Sequence, residues 1–465
     1  MPDSINSMNL PDILKLLENK DLKIFFSGIG GISMHAIAAV LHQRGYEIGG
    51  SDIIEKWEIQ KLRDMGINVK IPQTGENVSG YDLFVYNARI KDQNPEMVEA
   101  KRLNIPIIKR LQMLGALMSG YKTSVGISGT HGKSSVTSMT SEIFMQAKTD
   151  PTFFIGAVYP PINSAYKIGS GDYCIIESDE YSDSFLNLYP NISVILNIEM
   201  DHPDYFKDLD DVISSFEEFL ANTSDTAIIN FDDESAVKAA KNFKGEIITY
   251  ALKNPNADIF VKNINYPDGF PEFDITAKGE LYAHIKLSVP GEFNIYNAAA
   301  AASAAYKCGI DGKSVENGLN IFRGAGRRFE YKGVLNGAKV YDDYAHHPTE
   351  VKKALTEMQK IANANSGSLW YVFQPHTYSR THDLLDDLCE ALSHADQLIL
   401  TEIFSATEKN IYDISSKDIA ARLDNSVFIE KFEDIAEHLK KSVKENDMVL
   451  ITGAGDINNL TKLLV

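Results

Sequence analysis

The segment GTHGKSS, residues 129–135, has the composition of a loop that binds phosphate. Loops of this kind turn successive backbone N–H groups toward phosphate oxygens at the N-terminus of a helix. Gly132 lets the backbone approach closely, Lys133 can reach terminal phosphates, and Ser134 can ligate Mg²⁺. The spacing departs from the strict nucleotide-loop pattern, since Ile127 stands five residues before Gly132. A surface turn that carries a lysine is the alternative, but a strand before the loop and a helix after it favour a nucleotide site.

Two groups of acidic and polar side chains follow two predicted strands. The first group comprises Glu177, Asp179, Glu180 and Asp183, and the second comprises Asn197, Glu199, Asp201 and His202. Ligands of open α/β sheets bind at the carboxyl ends of strands, so both groups are expected at one edge. Carboxylates suit Mg²⁺, which takes one or two of them together with phosphate oxygens, and His202 could bind metal or polarise phosphate. A lone carboxylate is more often a solvated loop residue or a helix cap, but two groups beside a phosphate loop favour a metal–nucleotide site.

An earlier glycine-rich segment, GIGGIS, has the pattern of a dinucleotide-binding turn. Gly28, Gly30 and Gly31 form the turn, and Asp52 stands about twenty residues further on, where an NAD-binding protein has its ribose contact. This segment alone leaves a nicotinamide-dependent oxidoreductase open. The phosphate loop and the acidic groups favour an ATP-dependent reaction instead.

Charged residues in the last third of the chain could act on anionic substrates. Arg327 and Arg328 are either a surface turn or a pair that stabilises charge on a transferring phosphate. His346 and His347 are either an exposed helix start or part of a site, although adjacent histidines point in different directions. Arg380 is either a helix-terminal arginine or a clamp that binds a carboxylate through two parallel hydrogen bonds.

The elements that must position these residues form three consecutive α/β units. Apolar runs indicate strands at residues 22–26, 46–49, 81–86, 105–108, 124–128, 173–176, 194–197, 227–230, 339–341, 369–373, 397–400 and 448–451. A polar stretch at residues 254–279 predicts a β-rich excursion, after which a helix resumes at residues 294–308. Helical segments between the strands indicate open, largely parallel sheets.

Composition narrows the class of protein. The chain has 465 residues, of which 44% are hydrophobic and 23% charged, and this length predicts more than one core. No apolar run approaches the roughly 20 residues of a membrane-spanning helix, and the N-terminus lacks a secretion-signal pattern. Three cysteines far apart predict reduced thiols in a cytoplasmic protein. The net charge of −19 disfavours nucleic-acid and anionic-membrane partners, but it permits an anionic small substrate.

The order and approximate spacing of nine motifs resemble those of the Mur ligases. They are GIGGIS, GTHGKSS, ESDEYSDSF, NIEMDH, PGEFNIYNAAAA, RGAGRRFE, DDYAHHPTE, FQPHTYSRT and TGAGDI. The resemblance implies an α/β fold of three domains: a Rossmann-like UDP-sugar domain at residues 1–120, a central P-loop ATPase-like domain with a mixed sheet at 121–324, and a C-terminal Rossmann-like domain at 325–465. It also implies an ATP- and Mg²⁺-dependent ligase of peptidoglycan precursor synthesis, and hence of cell-wall biogenesis, cell shape and division. The implied reaction joins L-alanine to UDP-N-acetylmuramate through an acyl phosphate.

The resemblance also implies roles for individual positions. The residues implied for the UDP-sugar are Gly28, Gly30, Gly31, Ser51, Asp52 and Arg110. Those implied for ATP are Gly129, Thr130, His131, Gly132, Lys133, Ser134, Ser135, Asn294, Asn297, Arg327 and Arg328. Metal ligation is implied for Ser134, Glu177 and His202, and catalysis for Lys133, Glu177, His202, His347 and Arg380. The residues implied to face the substrate or amino acid are Tyr344, His346, His376 and Arg380.

Three departures from the family pattern leave the acceptor open. Phe293 stands in place of a frequent histidine, Thr377 in place of an arginine, and Glu402 in place of an aspartate. L-alanine, glycine, L-serine and a preformed murein tripeptide are the candidate acceptors, and the last would make the chain a sister ligase. A nucleotide-binding protein without catalysis is a further alternative. The chain is expected to be a monomer or a homodimer.

Overall fold

The computed structural model describes residues 8–202 and 205–465. Within it the chain divides into two units. The first consists of the chain up to Ile259 together with Ala300–Ile310, and the second of Phe260–Ala299 and Asp311–Val465. Each unit has its own hydrophobic core.

The first unit begins with a parallel sheet of five strands. Its elements are α1 (Leu10–Leu17), β1 (Lys23–Ser27), α2 (Ile32–Gln43), β2 (Glu47–Ser51), α3 (Trp57–Asp64), β3 (Asn68–Lys70), β4 (Leu83–Tyr86), α4 (Pro95–Arg102), β5 (Ile107–Lys109) and α5 (Arg110–Ser119). The strand order is β3-β2-β1-β4-β5, and every pairing is parallel. This order is that of a Rossmann-like half, as the sequence predicts.

Burial on both faces explains why the strands of this sheet have continuous apolar runs. Ile24 and Phe26 face one core, whereas Phe25 and Phe84 pack with Met97 in a core on the other face. Helices cover both faces of a parallel sheet, so its central strands have no solvent side. Side chains therefore reach solvent mainly at the strand ends.

The rest of the first unit is a mixed sheet with an antiparallel hairpin at one edge. Its elements are β6 (Thr123–Ser128), α6 (Lys133–Gln146), β7 (Thr152–Tyr159), β8 (Ser164–Lys167), β9 (Tyr173–Glu177), β10 (Ile192–Ile195), α7 (Leu209–Ala221), β11 (Thr226–Asn230), α8 (Glu234–Ala240) and β12 (Glu246–Ala251). The strand order is β12-β11-β10-β6-β9-β7-β8, and β7 and β8 are antiparallel. β6, β9 and β10 therefore lie side by side with their carboxyl ends at the same edge.

The second unit contains three adjacent strands followed by a six-stranded sheet. The first part holds β13 (Ile259–Asn265), β14 (Glu272–Ala277), β15 (Glu280–Lys286) and α10 (Gly312–Ile321), and α9 (Glu292–Lys307) begins in it, while the residues of α9 from Ala300 onward belong to the first unit. The second part holds β16 (Glu330–Leu335), β17 (Ala338–Asp343), α11 (Pro348–Ala364), β18 (Leu369–Phe373), α12 (Tyr378–Asp383), α13 (Leu385–Leu392), β19 (Gln397–Leu400), α14 (Ser416–Ala420), β20 (Ser426–Phe428), α15 (Phe432–Ser442), β21 (Met448–Thr452) and α16 (Thr461–Leu464). Its order is β16-β17-β21-β18-β19-β20, parallel except for β16 against β17.

The predicted α/β class with three sheets is confirmed, and so is the β-rich excursion, which extends beyond residue 279 to Lys286. Sequence reasoning missed several strands, among them β3, β7, β8, β12, β16 and β20. No helix within residues 8–202 and 205–465 is both long enough and apolar enough to cross a membrane. The residue boundaries of the three domains stay predictions.

Candidate active site

The phosphate loop connects β6 to α6, as predicted. Gly129 has φ +151° and Gly132 has φ +90°, which are backbone conformations that favour glycine. A Cβ on Gly129 would also lie 2.8 Å from Cβ of Leu196. Gly132 is the N-cap of α6, so the unpaired N–H groups of the first helical turn lie at the end of the loop.

Asn197, which follows β10, holds the loop in place. Its backbone carbonyl accepts from the Thr130 N–H at 3.0 Å, and its side-chain oxygen accepts from the His131 N–H at 2.8 Å. The Asn197 amide donates in return to the His131 carbonyl at 3.0 Å, and the Glu199 N–H donates to the Thr130 hydroxyl at 2.9 Å. Asn197 and Glu199, from the second polar group, thus hold the phosphate loop in place. The sequence alone did not assign this role to Asn197.

Lys133 is paired with Glu180. Its Nζ lies 2.9 and 2.8 Å from the two carboxylate oxygens of Glu180 and donates to the Gly129 carbonyl at 2.8 Å. Asp179 is more distant, at 3.7 Å, and is exposed. Burial raises the pKa of Glu180, and the nearby Lys133 ammonium opposes that shift. The buried carboxylate of Glu180 is therefore the counter-ion of Lys133. The sequence alone predicted only that Glu180 belongs to a group of possible metal ligands.

Ser134 and Glu177 meet at the start of α6 and the end of β9. The Ser134 hydroxyl donates to Oε1 of Glu177 at 3.0 Å, and the Gly156 N–H donates to Oε2 at 2.6 Å. A Cβ on Gly156 would lie 2.5 Å from Oε1, so this position accommodates only glycine without rearrangement. Burial raises the pKa of Glu177, and the Gly156 N–H opposes the shift. Two of the three predicted metal ligands are therefore in contact.

His202 lies on the other side of Glu180. Its Nε2 is 3.9 Å from a carboxylate oxygen of Glu180 and 3.9 Å from one of Asp201, and its ring packs against Tyr181 at 4.7 Å between centroids. Asp183 accepts a hydrogen bond from Tyr205 at 2.5 Å and another from Ser215. His202 therefore lies beside the Lys133–Glu180 pair, whereas Asp183 connects neighbouring elements through its hydrogen bonds.

Oxygen atoms suited to Mg²⁺ are present at this edge. The Ser134 hydroxyl and the Glu177 carboxylate supply two, and Mg²⁺ commonly completes its octahedron with phosphate oxygens and waters. Across the part of the chain that the structure describes, no group of three or more His, Cys, Asp or Glu side chains is placed to hold a metal ion. The donor set thus fits a metal that arrives with a nucleotide.

The first glycine loop follows β1 and is built onto the end of β2. The N–H groups of Gly28 and Ile29 both donate to the Ser51 carbonyl at 2.9 Å, and the Gly30 N–H donates to Oδ2 of Asp52 at 3.0 Å. Asp52 is buried and also accepts from the Ile53 N–H at 2.7 Å. Asp52 therefore shapes the loop through its own carboxylate.

Arg110, the first residue of α5, faces the helix that follows this loop. Its Nη1 donates to the Ser33 hydroxyl at 2.6 Å. Burial lowers the pKa of Arg110, and the charge of Asp179 opposes the shift. The guanidinium thus contacts the glycine-loop helix and is influenced by the charge of Asp179, in the acidic group that follows β9.

The predicted adenine-side residues lie at the start of α9 in the second unit. Asn294 and Asn297 are buried, and the Asn297 amide donates to the Asn294 side-chain oxygen at 3.0 Å. The Asn294 amide donates to the Pro290 carbonyl at 2.7 Å. Phe293 is 37% exposed, and its ring centroid is 5.7 Å from that of Phe329. This arrangement leaves an aromatic face available beside two fixed amides.

The two predicted arginines differ in their contacts. Arg327 donates to the carbonyls of Gly455, at 2.8 Å, and of Gly453, and its Nε is 3.4 Å from the buried Asp342. The guanidinium of Arg328 lies 5.2 Å from the ring centroid of Tyr344. Burial raises the pKa of Asp342 to about 7, against the opposing charge of Arg327. Both guanidinium groups therefore lie over the Tyr344 ring, 5.2 Å from its centroid, and Arg327 in addition bridges the chain's own backbone.

A cluster of rings and one arginine forms at the ends of β17 and β18. The His346 ring is 5.4 Å from Tyr344 and 6.0 Å from His376, and Nη1 of Arg380 is 3.2 Å from Nδ1 of His376. Burial lowers the pKa of both histidines. Four predicted substrate residues are thus brought together.

His347 has a different role in the structure from the residues of this cluster. It is exposed and is the N-cap of α11, where its Nδ1 accepts from the Thr349 N–H at 3.4 Å. This contact corresponds to the helix-start alternative. Its catalytic role stays a prediction.

Models of known families match three consecutive parts of the chain. Residues 23–122 match the Mur ligase family catalytic domain, residues 127–305 the Mur ligase middle domain, and residues 327–455 the Mur ligase glutamate ligase domain. The UDP-N-acetylmuramate–L-alanine ligase of Caldicellulosiruptor bescii is 42% identical over 95% of this chain and 98% of its own length. The ligase of the same name from Agathobacter rectalis is 41% identical over 94% of this chain and 96% of its own.

The chain belongs to the Mur ligase family. Among solved structures, the UDP-N-acetylmuramate–alanine ligase of Thermotoga maritima matches with a TM-score of 0.74 and 28% identity, covering 95% of this chain and 97% of its own. The murein peptide ligase of Psychrobacter arcticus shares the fold, with a TM-score of 0.63 at 21% identity over 95% of this chain and 98% of its own.

Membership of the Mur ligases establishes the class of reaction. The chain is an ATP-dependent ligase, as the sequence predicts. The sister ligase that adds a preformed peptide, the nicotinamide-dependent alternative and the alternative without catalysis are not favoured. The roles of single residues stay predictions.

Proposed function

We propose that this Mur ligase joins L-alanine to UDP-N-acetylmuramate with cleavage of ATP to ADP and phosphate. The observation that carries the proposal is the identity of 40–42% over nearly the whole chain to ligases of that specificity. The reaction belongs to peptidoglycan precursor synthesis.

The chemistry requires activation of a carboxylate. The γ-phosphoryl group passes to an oxygen of the lactyl carboxylate and ADP leaves, which gives an acyl phosphate. The amine of L-alanine attacks the carbonyl carbon, the C–N bond forms, the nitrogen loses a proton, and the C–O bond to phosphate breaks. Enzymes accelerate such steps mainly by positioning reactants and stabilising charge.

Lys133 is the residue that would neutralise the transferring phosphoryl group. Its ammonium contacts the buried carboxylate of Glu180 and the Gly129 carbonyl. A phosphate anion between the loop and the lysine would share this charge, with the first-turn N–H groups of α6 as further donors. His202, close to Glu180, would orient this carboxylate or polarise the phosphoryl group.

Ser134 and Glu177 are the residues that would hold Mg²⁺. The metal, when bound with ATP, supplies positive charge that draws electrons from the phosphoryl oxygens. The hydroxyl and carboxylate are already 3.0 Å apart, and the Gly156 N–H keeps the carboxylate in place.

The substrates would occupy two further sets of residues. The first turn of α2, which follows the loop at Gly28, would hold the UDP-sugar together with Arg110, because the N–H groups at a helix start and a guanidinium both bind diphosphate. Asp52 would keep the loop in shape through the Gly30 N–H. In the second unit, Arg380 beside His376 would hold the carboxylate of the amino acid. His346 and Tyr344 would line the same cluster.

We further propose that the enzyme works in the cytoplasm, where ATP and nucleotide sugars are available. The net charge of −19 supports a protein that binds neither nucleic acid nor anionic membrane. A monomer and a homodimer both remain compatible with the proposed site.

Phosphate release is the measurement that tests the proposed function. Purified enzyme is given Mg-ATP, UDP-N-acetylmuramate and one acceptor, with each component omitted in turn. Release that requires all three components and is fastest with L-alanine supports the proposal. Release with the murein tripeptide alone would identify the sister activity, and no release with any acceptor would contradict the proposed function.

A further inference from the structure

The carboxylate of Glu96 is completely buried beneath the first glycine loop. Its side chain is 0% exposed. Oε2 accepts hydrogen bonds from the hydroxyls of Ser27, at 2.6 Å, and Ser51, at 2.7 Å. Oε1 accepts from the Asn77 amide at 3.0 Å. One carboxylate thus connects the ends of β1 and β2 with the segment that follows β3.

Further side chains complete this network. The Gln73 amide nitrogen donates to the Ser27 hydroxyl at 3.2 Å and to the Ser51 hydroxyl at 3.3 Å. The Asn94 amide donates to the Gln73 side-chain oxygen at 2.9 Å. Each serine hydroxyl therefore donates to Glu96 and accepts from Gln73, which defines the rotation of both hydroxyls.

The two serines are the residues from which the glycine loop departs. Ser27 immediately precedes Gly28, and the Ser51 carbonyl accepts the N–H groups of Gly28 and Ile29 at 2.9 Å. Asp52, next to Ser51, accepts the Gly30 N–H at 3.0 Å. A shift of either serine would therefore move the N–H groups of the loop.

Capping of α4 does not explain Glu96. Asn94 is the N-cap of that helix, and its side chain already accepts from the Glu96 N–H at 2.9 Å. A buried carboxylate is costly, and apolar side chains of similar volume would fill the same space with less desolvation. The carboxylate's contacts instead all go to the ends of strands or to the residues that surround the loop.

We propose that Glu96 is a positioning residue for the nucleotide sugar. By fixing Ser27 and Ser51, it sets the path of the glycine loop and therefore the position of the first turn of α2, whose N–H groups would face the diphosphate. The inference rests on the proposed function for the location of the UDP-sugar. Its effect is expected in substrate affinity, because Glu96 lies behind the loop and out of reach of the reacting atoms.

Glu96→Gln tests the proposal with a side chain of nearly the same volume. The glutamine oxygen can still accept from both serines, but its NH₂ group then faces the NH₂ group of Asn77, and one donor loses its acceptor. We expect the KM for UDP-N-acetylmuramate and the Kd for UDP alone to rise by about tenfold. This factor corresponds to the free-energy cost of one unsatisfied buried hydrogen-bond donor. The kcat and the KM for ATP should change by less than about twofold, since the phosphate loop is separate from this network.

A reciprocal exchange separates positioning from simple loss of stability. Adding Asn77→Asp to Glu96→Gln restores a donor opposite an acceptor and keeps the net charge, so KM and Kd should return part of the way toward those of the unaltered enzyme. The return is partial because Asn77→Asp also removes the hydrogen bond from the Asn77 amide to the Pro72 carbonyl, and Asn77→Asp alone measures that loss. Glu99→Gln is the matched control, since the half-buried Glu99 lies on the same helix and pairs with the exposed Arg102. This variant should leave the KM and the Kd unchanged.

Titration of UDP by calorimetry keeps this inference distinct from the proposed ligation. A weaker Kd for UDP in Glu96→Gln supports the positioning role even if no acceptor is ligated. An unchanged Kd and KM in that variant would overturn the role of Glu96 while the ligase assignment stands. A lower melting temperature with equal rises in both KM values would also overturn it, because only folding would then depend on Glu96.

Discussion

At the scale of single residues, the central feature is a lysine whose counter-ion is buried. Lys133 contacts both oxygens of Glu180, whose side chain is 2% exposed. The same lysine is expected to hold the transferring phosphoryl group. One side chain therefore has two separable effects, one on folding and one on catalysis.

Replacing Lys133 by alanine should abolish ligation and also destabilise the fold. The variant leaves the buried Glu180 without its partner, which is expected to cost about 3 kcal/mol of unfolding free energy. Binding of the UDP-sugar should stay nearly intact, because its loop is elsewhere. Phosphate release, thermal unfolding and UDP titration measure the three effects.

The double variant Lys133→Ala with Glu180→Gln is the control for this prediction. Without the buried charge, most of the lost stability should return, while ligation stays absent. Normal turnover in the single variant would contradict the assignment of the phosphate loop.

The sequence predicts the position of this site more accurately than the contacts within it. The motif at Gly129 places Lys133 and Ser134 correctly at the start of a helix. The partner of Lys133 is 47 residues away, and which of the neighbouring carboxylates it pairs with depends on how β9 and α6 pack. Gly156, which holds Glu177, has no sequence signal at all, since a lone glycine within a strand has many explanations.

At the scale of elements, strands buried on both faces were predictable and edge strands were not. β1, β4 and β18 have continuous apolar runs because helices cover both sides. β16 and β20, the two edge strands of the six-stranded sheet, include several exposed or half-buried positions, so their sequences do not differ clearly from those of loops. Pairing with a neighbouring strand, and not composition, makes these segments strands.

The contact between α2 and β8 predicts a pH dependence. His35 is buried, its Nδ1 lies 2.7 Å from the Tyr166 hydroxyl, and burial together with Lys61 lowers its pKa to about 4. The folded state therefore disfavours the protonated ring. Above the unfolded-state pKa of about 6.5, the contribution of the neutral ring to the unfolding free energy is fully present. This contribution falls by about 3 kcal/mol as the pH decreases toward 4.

His35→Gln should remove this acid sensitivity. Urea denaturation at several pH values measures the unfolding free energy of the unaltered chain and of the variant. From pH 7 to pH 4 the unaltered chain should lose more unfolding free energy than the variant. His394→Gln changes an exposed histidine and should run parallel to the unaltered chain. Parallel curves for His35→Gln would show that the ring titrates equally in both states.

At the scale of the whole molecule, the chain has separate cores in its two units. One core is formed by residues up to Ala240 and another by residues from Phe329 to Leu450. Proteins built in this way commonly unfold in more than one step. The proposed UDP-sugar residues all belong to the first unit.

Calorimetry should therefore show more than one unfolding transition, and UDP-N-acetylmuramate should raise the midpoint of only one. At about a hundred times its Kd, a ligand adds roughly 2.7 kcal/mol to the stability of the unit that binds it. A single transition that shifts as a whole would show that the two units unfold together.

The bonds from Asn197 to the phosphate loop have a consequence for how nucleotide binds. Two loop N–H groups and one loop carbonyl are hydrogen-bonded to Asn197, just after the end of β10, so the protein's own bonds hold the loop in its shape. Association then loses little conformational entropy, and more of the interaction free energy appears as affinity. Rigid mimics of a triphosphate should therefore bind this preorganised loop better than flexible mimics that carry the same charge.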